Sequence, residues 1–377
     1  MVFQLAPLNE DTLYEHIFER YVELERNSAN LKQDLGIQSR TATTIEIDIE
    51  PPPVVLEKKK RKKRQNERRA DAELYNVVVE QSLSDLNSSV SNNNSTTGYV
   101  LWSSTPFFIR WLLYSDESKP FRFLCDAVEV TNNRSLGDDD DDDDNEQNVE
   151  IPPLYSVRNE NSRVGIIELG TGISPLMAVI LSNHVDHYVC TDQRGILNKL
   201  KQNIKENVSQ VTRRECISKS LGIERREVES TLETTEQEDN SNKRGSINSK
   251  SSRNSATVSI EVEELNWEKF DPKVNHPYLT QVKDNCDTVY IVAMDVIYNE
   301  YLIEPFLTTI INLRSFFSDA DKQRTTPPNV RCLIGVHLRS QDIVTQFLEQ
   351  AVINHELSVY SIADNALDAS RYAIYLI

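Results

Sequence analysis

The spacing of apolar and polar residues predicts four elements in the first third of the chain. Apolar residues recur at helical spacing over 13–21, so an opening helix is expected there. They alternate with polar residues over 45–49 and over 75–79, which is typical of half-buried strands that pair as a hairpin. Thr105, followed by Pro106 and an apolar run, favours the start of a second helix.

Strands and helices alternate from residue 164 to residue 353. The predicted strands are 164–169, 187–191, 258–265, 288–294 and 330–338, and the predicted helices are 174–183, 194–207, 301–317 and 341–353. Two more strand-like segments, 357–362 and 372–377, close the chain with no full helix between them. This alternation implies a mostly parallel, Rossmann-like α/β sheet, and the short last connection implies an antiparallel final strand.

Polar segments divide the chain. The segment 83–97 is rich in Ser and Asn and is typical of a linker, so we expect an N-terminal helix and β-hairpin extension over 1–97 and a main domain over 98–377. The segment near 130–160 contains seven consecutive aspartates, and 218–256 is dense in Ser, Glu, Asn and Arg. Neither can bury enough apolar surface to offset its ordering entropy, so both are predicted to be flexible insertions.

The chain is strongly acidic, because 41 lysines and arginines against 59 aspartates and glutamates leave a formal net charge of −18. Such a balance repels phosphate backbones, so extended nucleic-acid binding is disfavoured and basic partners such as ribosomal proteins are favoured. A basic run at 58–64 falls in the predicted hairpin loop. A solvated loop is the simplest interpretation, with nuclear targeting and docking to ribosomal RNA left open.

Other features bear on the cellular location. No apolar run reaches the about 18–20 residues of a membrane-spanning helix, and the N-terminus has no signal-peptide pattern. The five cysteines are scattered without metal-site or disulfide spacing, and Cys190 and Cys332 lie in apolar runs, as expected of buried thiols. We expect a monomer in the cytoplasm, without metal or membrane, with entry into the nucleus left open by the basic run.

A glycine-containing loop follows the predicted strand at 164–169. Glu168-x-Gly170-x-Gly172 lies between this strand and a helix, and its glycines let the backbone turn tightly against a ligand. Twenty residues later Asp192 ends the next strand, where an acid can accept hydrogen bonds from ribose hydroxyls. This combination describes dinucleotide sites and S-adenosyl-L-methionine sites alike.

Three details favour S-adenosyl-L-methionine over a dinucleotide. Pro175 occupies the position of a third glycine, which in dinucleotide sites lets the helix pack close to its strand. Glu168 precedes Gly170 by two residues, where an acid suits a cationic methionyl ammonium and repels a pyrophosphate. The antiparallel ending matches a seven-stranded methyltransferase sheet better than a dinucleotide-binding sheet.

Five motifs resemble, in order and spacing, those of the seven-β-strand protein-lysine methyltransferases, and most closely the methyltransferase-like 21 family. They are Thr97-Gly98-Tyr99-Val100-Leu101-Trp102, Glu168-Leu169-Gly170-Thr171-Gly172, Thr191-Asp192-Gln193, Leu265-Asn266-Trp267-Glu268 and Ala293-Met294-Asp295-Val296-Ile297-Tyr298. The resemblance covers most of the chain outside the two insertions and implies a seven-stranded, Rossmann-like sheet. One departure is Asn266, where the family commonly has aspartate.

The resemblance also implies a cofactor site and a catalytic pair. The residues that it implies for binding S-adenosyl-L-methionine are Trp102, Gly170, Thr171, Gly172, Asp192, Trp267 and Ala293. Asp295 and Tyr298 match the D-x-x-Y motif of the family and are expected beside the substrate lysine, where they would orient its ammonium group. The implied activity is methylation of a lysine, with a basic protein of the large (60S) ribosomal subunit as the expected substrate.

Three alternatives remain open at this point. A methyltransferase of RNA or of a small molecule would use the same cofactor, although the acidic balance and the absence of an N-P-P-Y or D-P-P-Y motif disfavour RNA. A non-catalytic binding module could use the sheet as a scaffold and the charged runs for docking, although it would not need the glycine loop or Asp192. An NAD oxidoreductase shares the loop and the strand-end acid.

Overall fold

Nine strands of the described residues form one mixed sheet. The computed structural model describes residues 4–27, 36–51, 74–86, 97–114, 128–130, 149–151, 162–225, 256–319, 326–363 and 365–377. From one edge of the sheet to the other, the strands are β1 (Gln4–Leu8), β12 (Val359–Ala363), β13 (Tyr372–Leu376), β11 (Asn329–His337), β10 (Thr288–Met294), β6 (Val164–Leu169), β7 (His187–Asp192), β9 (Thr257–Glu264) and β8 (Glu215–Ile217). The other described strands form two antiparallel pairs, β2 (Thr44–Ile49) with β3 (Tyr75–Glu80) and β4 (Val128–Val130) with β5 (Val149–Ile151).

The middle of the sheet is parallel and one end is antiparallel. Strands β8, β9, β7, β6, β10 and β11 pair in parallel in that order, whereas β13 is antiparallel to both β11 and β12. This arrangement confirms the predicted mostly parallel, Rossmann-like α/β fold with an antiparallel last strand. The sequence pattern did not predict β1, which pairs antiparallel with β12 and makes the N-terminal segment part of the same sheet.

Helices cover both faces of the sheet. They are α1 (Leu13–Arg26), α2 (Leu83–Leu86), α3 (Ser104–Tyr114), α4 (Leu176–Leu181), α5 (Arg194–Asn207), α6 (Pro277–Asn285), α7 (Glu300–Ser318), α8 (Gln341–Glu349) and α9 (Asn365–Asp368). Alternate residues of a strand point to opposite faces. In β10, Tyr290 and Val292 therefore join the apolar cluster that contains α3, α4, α5 and the β2–β3 hairpin, while Ile291 and Ala293 join the cluster that contains α1, α6, α7 and α8. Burial on both faces explains the continuous apolar runs of the central strands.

Two buried asparagines of α5 attach the predicted hairpin to the main sheet and its helices. Asn207 accepts a hydrogen bond from the Val78 amide at 2.9 Å and donates one to the Val78 carbonyl at 2.7 Å. Asn203 accepts from the Glu80 amide at 3.2 Å and donates to the carbonyls of Glu80 and Ile173 at 2.9 and 2.8 Å. Side chains thus take the place of a neighbouring strand along β3, so its buried backbone groups are satisfied.

Replacing Asn203 by leucine is expected to lower the free energy of unfolding by about 3 kcal/mol, because one amide and two carbonyls of the backbone lose their partner. The matched control is Asn198→Leu on the exposed face of the same helix, which should change stability by less than about 0.5 kcal/mol. Unfolding in denaturant measures both variants. Equal stability of the two variants would show that the apolar side chains of α5 hold the hairpin without the Asn203 hydrogen bonds.

Contacts of Glu261 hold the segment that follows β8 against β9. The buried carboxylate accepts hydrogen bonds from the amides of Lys219 and Ser220 at 2.9 and 2.8 Å. The start predicted for the flexible insertion at 218–256 is therefore too early in the sequence, because Lys219 and Ser220 are hydrogen-bonded to β9. Outside the described residues lie most of that insertion, most of the 130–160 segment and the basic run at 58–64.

The described residues also test the expectations about membrane-spanning helices and about the cysteines. No helix among the described residues is long and apolar enough to cross a membrane. Cys190 and Cys332 are buried, as the sequence predicted, and both carry free thiols. The segment 83–97, predicted as a linker, carries α2 at its start and a 3₁₀ turn from Thr97 at its end.

Candidate functional site

A cleft opens at the carboxyl ends of β6, β7, β9 and β10. Eight predicted site residues line this cleft, namely Trp102, Gly170, Thr171, Gly172, Asp192, Trp267, Asp295 and Tyr298. Ala293 does not line it, because its side chain is fully buried in the apolar cluster that contains α7. Met294, the next residue, lies at the position in the cleft where Ala293 was expected.

Gly170 and Gly172 hold the loop after β6 in a conformation that side chains disfavour. Their φ angles of 68° and 62° lie in the left-handed region, which glycine enters without steric cost. A Cβ on Gly170 would lie 2.9 Å from Val296 Cγ1 and 3.2 Å from the Trp267 indole, and one on Gly172 would lie 3.0 Å from the Gly98 carbonyl oxygen. Glycine is therefore required at both positions for the backbone angle and for space.

Asp192 binds the loop to the end of β7. Its carboxylate accepts hydrogen bonds from the amides of Gly172 and Gln193, both at 2.7 Å. Burial raises the pKa of Asp192 to about 6, and the two amide donors oppose that rise. Each carboxylate oxygen can accept a second hydrogen bond, so Asp192 can hold the loop and bind ligand hydroxyls at the same time.

Glu168 is a buried acid directly before the loop. Its Oε2 accepts a hydrogen bond from the Tyr188 hydroxyl at 2.7 Å, and the residue lines the cleft. Burial raises the pKa of Glu168 to about 8 and the nearby Asp192 adds to the rise, whereas hydrogen bonds from Tyr188 and Thr171 oppose it. The group is therefore mostly neutral at pH 7, and a cation placed against it would favour the ionised form.

Trp267 and Asn266 form the part of the cleft that follows β9. Trp267 packs edge-on against Phe306 of α7, with ring centroids 5.2 Å apart. The side-chain oxygen of Asn266 accepts a hydrogen bond from the Glu268 amide at 3.0 Å and fixes a tight turn. Asparagine therefore keeps the turn-forming acceptor of the usual aspartate, while its NH₂ group can donate where a carboxylate only accepts.

Asp295 and Tyr298, the predicted catalytic pair, line the same cleft but bind different partners. The Asp295 side chain is 1% exposed, and its two oxygens accept hydrogen bonds from the Arg339 guanidinium at 2.6 and 2.5 Å. Burial raises the pKa of Asp295, and the Arg339 charge opposes that rise. The Tyr298 hydroxyl lies 2.8 Å from Thr97 Oγ1. The Asp295 charge is therefore balanced inside the protein.

Curated proteins match the chain from end to end. Ribosomal lysine N-methyltransferase 5 of Saccharomyces cerevisiae strain AWRI796 is 45% identical over 391 aligned positions, which cover 100% of both chains. Proteins of the same name from strains RM11-1a and ATCC 204508 / S288c are each 44% identical with the same coverage. The chain belongs to the ribosomal lysine N-methyltransferase 5 family. The prediction of a lysine N-methyltransferase is thereby confirmed.

Comparison with family models and solved structures adds little to this assignment. No protein-family model matches the chain. A solved human methyltransferase 10 domain containing protein aligns with 59% of this chain and 73% of its own at 10% identity, with a TM-score of 0.28. A TM-score this low does not establish a shared fold. The fold of this lysine N-methyltransferase is therefore assigned from its own strand order.

The cleft of this lysine N-methyltransferase carries acidic side chains without basic ones. Glu168, Asp192, Glu268 and Asp295 line it, and no lysine, arginine or histidine occurs among the described lining residues. The described residues also contain no group of three or more His, Cys, Asp and Glu placed to hold a metal ion. Such a cleft suits a ligand with cationic groups and hydroxyls, because Asp192 can accept hydrogen bonds and a cation favours the ionised form of Glu168, and it offers no cationic side chain to a pyrophosphate.

Glu168 should contribute stability to the unliganded lysine N-methyltransferase that is lost as the pH rises from about 5 to 8. The Glu168 pKa is near 4.5 in the unfolded chain and about 8 in the fold, so the folded state holds an extra proton between these values. This contribution is complete below pH 4.5 and is lost as the pH rises through 8, with a total on the order of 5 kcal/mol.

The matched variant for this pH dependence is Glu168→Gln. Glutamine keeps an oxygen that accepts the Tyr188 hydroxyl hydrogen bond but does not titrate. The unfolding free energy of the variant minus that of the wild-type protein, measured in urea at about pH 5, 6.5 and 8, should therefore increase as the pH rises. Parallel curves for the two proteins would contradict the assignment of the shift to Glu168.

Arg339 contacts the cleft residues Asp295 and Trp102, and Gly36 lies against His337 beside them, and neither contact has a signal in the sequence pattern. The Arg339 Cζ lies 4.9 Å from the ring centre of Trp102, whose Nε1 donates to the Thr97 carbonyl at 2.9 Å. Gly36, at φ 99°, lets the backbone lie against His337, because a Cβ there would be 2.8 Å from His337 Nδ1. These residues are distant from their partners in the sequence and adjacent to them only in the fold, so no local spacing could have indicated the contacts.

Proposed function

We propose that the chain is an S-adenosyl-L-methionine-dependent protein-lysine N-methyltransferase that modifies a basic protein of the large ribosomal subunit. The main support for the cofactor is a cleft lined by acids and built on a glycine loop. S-adenosyl-L-methionine carries a cationic sulfonium and an ammonium group and has no phosphate. NAD would bring two phosphate charges close to Asp192, and no lysine, arginine or histidine among the described lining residues would balance them, which disfavours NAD.

The residues of the cleft fit this cofactor. The left-handed φ angles of Gly170 and Gly172 turn the loop so that its backbone lines the cleft, and a ligand can therefore approach Thr171 and its neighbours closely. Glu168 would hold the ammonium group of the methionine end, and Asp192 would bind the ribose hydroxyls. Trp267 would lie against the adenine ring, and Trp102 would close the cleft from the N-terminal side.

The reaction requires a neutral lysine in line with the methyl group. When bound, the cofactor would supply this methyl group to the lysine nitrogen, with the electron pair of the former carbon–sulfur bond left on sulfur. Lysine has an ordinary pKa of about 10.4, and partial desolvation in the cleft lowers that pKa, so the proton can leave to water before attack. Tyr298, held by Thr97, is the residue best suited to orient the nitrogen.

A basic ribosomal protein is the substrate class that the charge of the chain favours. The relatives carry the name ribosomal lysine N-methyltransferase, and the chain has a formal net charge of −18. Glu268, which is exposed, adds a negative side chain to the cleft lining. Such a surface attracts lysine-rich segments and repels RNA, so methylation of a nucleic acid is the less favoured reaction.

Calorimetric titration with S-adenosylhomocysteine and with NAD tests the proposed cofactor. We expect S-adenosylhomocysteine to bind with a Kd on the order of 10 μM and NAD to show no heat at about 1 mM. Thermal unfolding of the same samples should show stabilisation by the first ligand only. Tighter binding of NAD, or no binding of either ligand, would overturn the proposal.

A further inference from the structure

Arg339 meets Asp295 because two parallel strands end at the same edge of the sheet. Met294 of β10 lies opposite Gly335 of β11, so the residues that follow these strands approach each other. The Arg339 guanidinium contacts both carboxylate oxygens of Asp295, at 2.6 and 2.5 Å. A bidentate pair of this kind fixes the relative orientation of its two groups.

Asp295 depends on this partner because it is buried in a strained conformation. Its φ angle is 61°, and its amide donates to the Gly335 carbonyl at 2.8 Å. A non-glycine residue stays in the left-handed region only where its surroundings hold it. His337 Nδ1 is 3.9 Å away but adds no charge at neutral pH, because burial and the charges of Arg339 and Arg371 lower its pKa to about 3. Arg339 therefore supplies the charge that balances Asp295.

The other contacts of Arg339 connect it to Tyr298, the second residue of the predicted catalytic pair. Its guanidinium lies 4.9 Å from the Trp102 ring centre, within the range of a cation–π interaction. Trp102 donates to the Thr97 carbonyl at 2.9 Å, and the Thr97 hydroxyl lies 2.8 Å from that of Tyr298. Because Tyr298 follows Asp295 by three positions, these contacts form a closed ring at one end of the cleft.

We propose that Arg339 is a positioning residue for lysine methylation, which rests on the function proposed above. It holds the turn from Asp295 to Tyr298 and the Trp102 side of the cleft in a fixed arrangement. The lysine nitrogen then meets the Tyr298 hydroxyl and not an open carboxylate. Asp295 acts through the turn that it stabilises, which revises the expectation that its carboxylate orients the ammonium group directly.

Steady-state kinetics of Arg339→Met, Arg339→Lys and a control variant test this role. The control is Arg225→Met, because Arg225 is exposed and pairs with Glu215 outside the cleft. With S-adenosyl-L-methionine and a methyl-accepting ribosomal protein, Arg339→Met should lower kcat about 100-fold, and the KM for the cofactor should stay within about threefold of wild type. Arg339→Lys keeps the charge without the bidentate geometry and should lower kcat about tenfold. The control should keep the wild-type kcat.

Hydrogen exchange gives a second readout that does not depend on activity. The peptide 295–299 should exchange faster in Arg339→Met, while α5 keeps its wild-type protection and Arg225→Met changes neither. A kcat within about twofold of wild type would overturn the proposal, as would unchanged exchange at 295–299. Protection lost across all helices would also overturn it, because the role would then be a general structural one.

The two proposals can fail separately. If the wild-type enzyme methylates no ribosomal protein while the exchange at 295–299 responds to Arg339→Met alone, the proposed function fails and the positioning of the turn by Arg339 is supported. If the wild-type enzyme methylates its substrate and Arg339→Met does so at the same rate, the positioning role fails and the proposed function stands.

Discussion

Replacing Gly170 by alanine is expected to weaken the binding of S-adenosylhomocysteine by about 100-fold. The left-handed φ of 68° becomes strained, and the new Cβ lies 2.9 Å from Val296 and 3.2 Å from Trp267. The strain of about 1–2 kcal/mol and the contact with two cleft residues act together, so the loop or the indole must move. Calorimetric titration of the purified variant measures the loss.

Gly222 provides the matched control for this prediction. It has nearly the same φ of 67°, but a Cβ there meets nothing within 4 Å, and it lies outside the cleft. Gly222→Ala should therefore lose stability through backbone strain alone and keep its affinity for S-adenosylhomocysteine. Equal binding by the two variants would contradict a close approach of the ligand to the loop.

Replacing Asp192 by alanine is expected to lower the affinity for S-adenosylhomocysteine by about 100-fold or more. The change removes the acceptor for the amides of Gly172 and Gln193 and the proposed contact with the ribose hydroxyls. Each hydrogen bond to a charged group contributes about 1.5–3 kcal/mol, so the loss of the ribose contact accounts for much of this factor. Asp192→Asn keeps one acceptor oxygen and should lose about tenfold.

Asp186 offers a control carboxylate at the opposite end of β7. It accepts a hydrogen bond from the Val164 amide at 2.9 Å and pairs with Arg214 at 2.7 Å, away from the cleft. Asp186→Ala should lower the free energy of unfolding and leave the affinity for S-adenosylhomocysteine near that of wild type. A similar loss of affinity in both variants would show that general destabilisation, and not a ligand contact, explains the Asp192 effect.

The strands of the central sheet could be predicted because they are buried on both faces. The predicted strand at 288–294 coincides with β10, that at 187–191 is one residue shorter than β7, and that at 330–338 is shifted by one residue from β11. Continuous apolar runs mark such strands clearly. The edge strands β1 and β8 left no such signal, since they are short and β1 contains Pro7, a residue tolerated at sheet edges.

The candidate site could be predicted where two neighbouring strands end, one in the backbone turn and the other in the acid. Gly170, Gly172 and Asp192 lie close together because β6 and β7 are parallel neighbours. Ala293 was misplaced by one position, because alternate residues of β10 face opposite sides and only Met294 lines the cleft. A shift of one residue along a strand therefore decides whether a side chain lies in the core or in the cleft.

Polar contacts between distant segments could not be predicted from local patterns. Arg339 is a single arginine after β11, and its role depends on Asp295, which is 44 residues earlier in the chain. Asn203 and Asn207 look like polar residues of an amphipathic helix, yet both are buried against the backbone of β3. Hydrogen-bond complementarity of this kind exists only once the elements are packed.

Methyl transfer to separated proteins of the large ribosomal subunit tests the proposed function most directly. The wild-type enzyme is incubated with methyl-labelled S-adenosyl-L-methionine, these proteins and ribosomal RNA, and mass spectrometry locates the label. We expect the label on the side-chain nitrogen of a lysine in a basic ribosomal protein, lost with Asp192→Ala and retained with Asp186→Ala. Label found only in RNA or in a small molecule, or no label in any fraction, would contradict it.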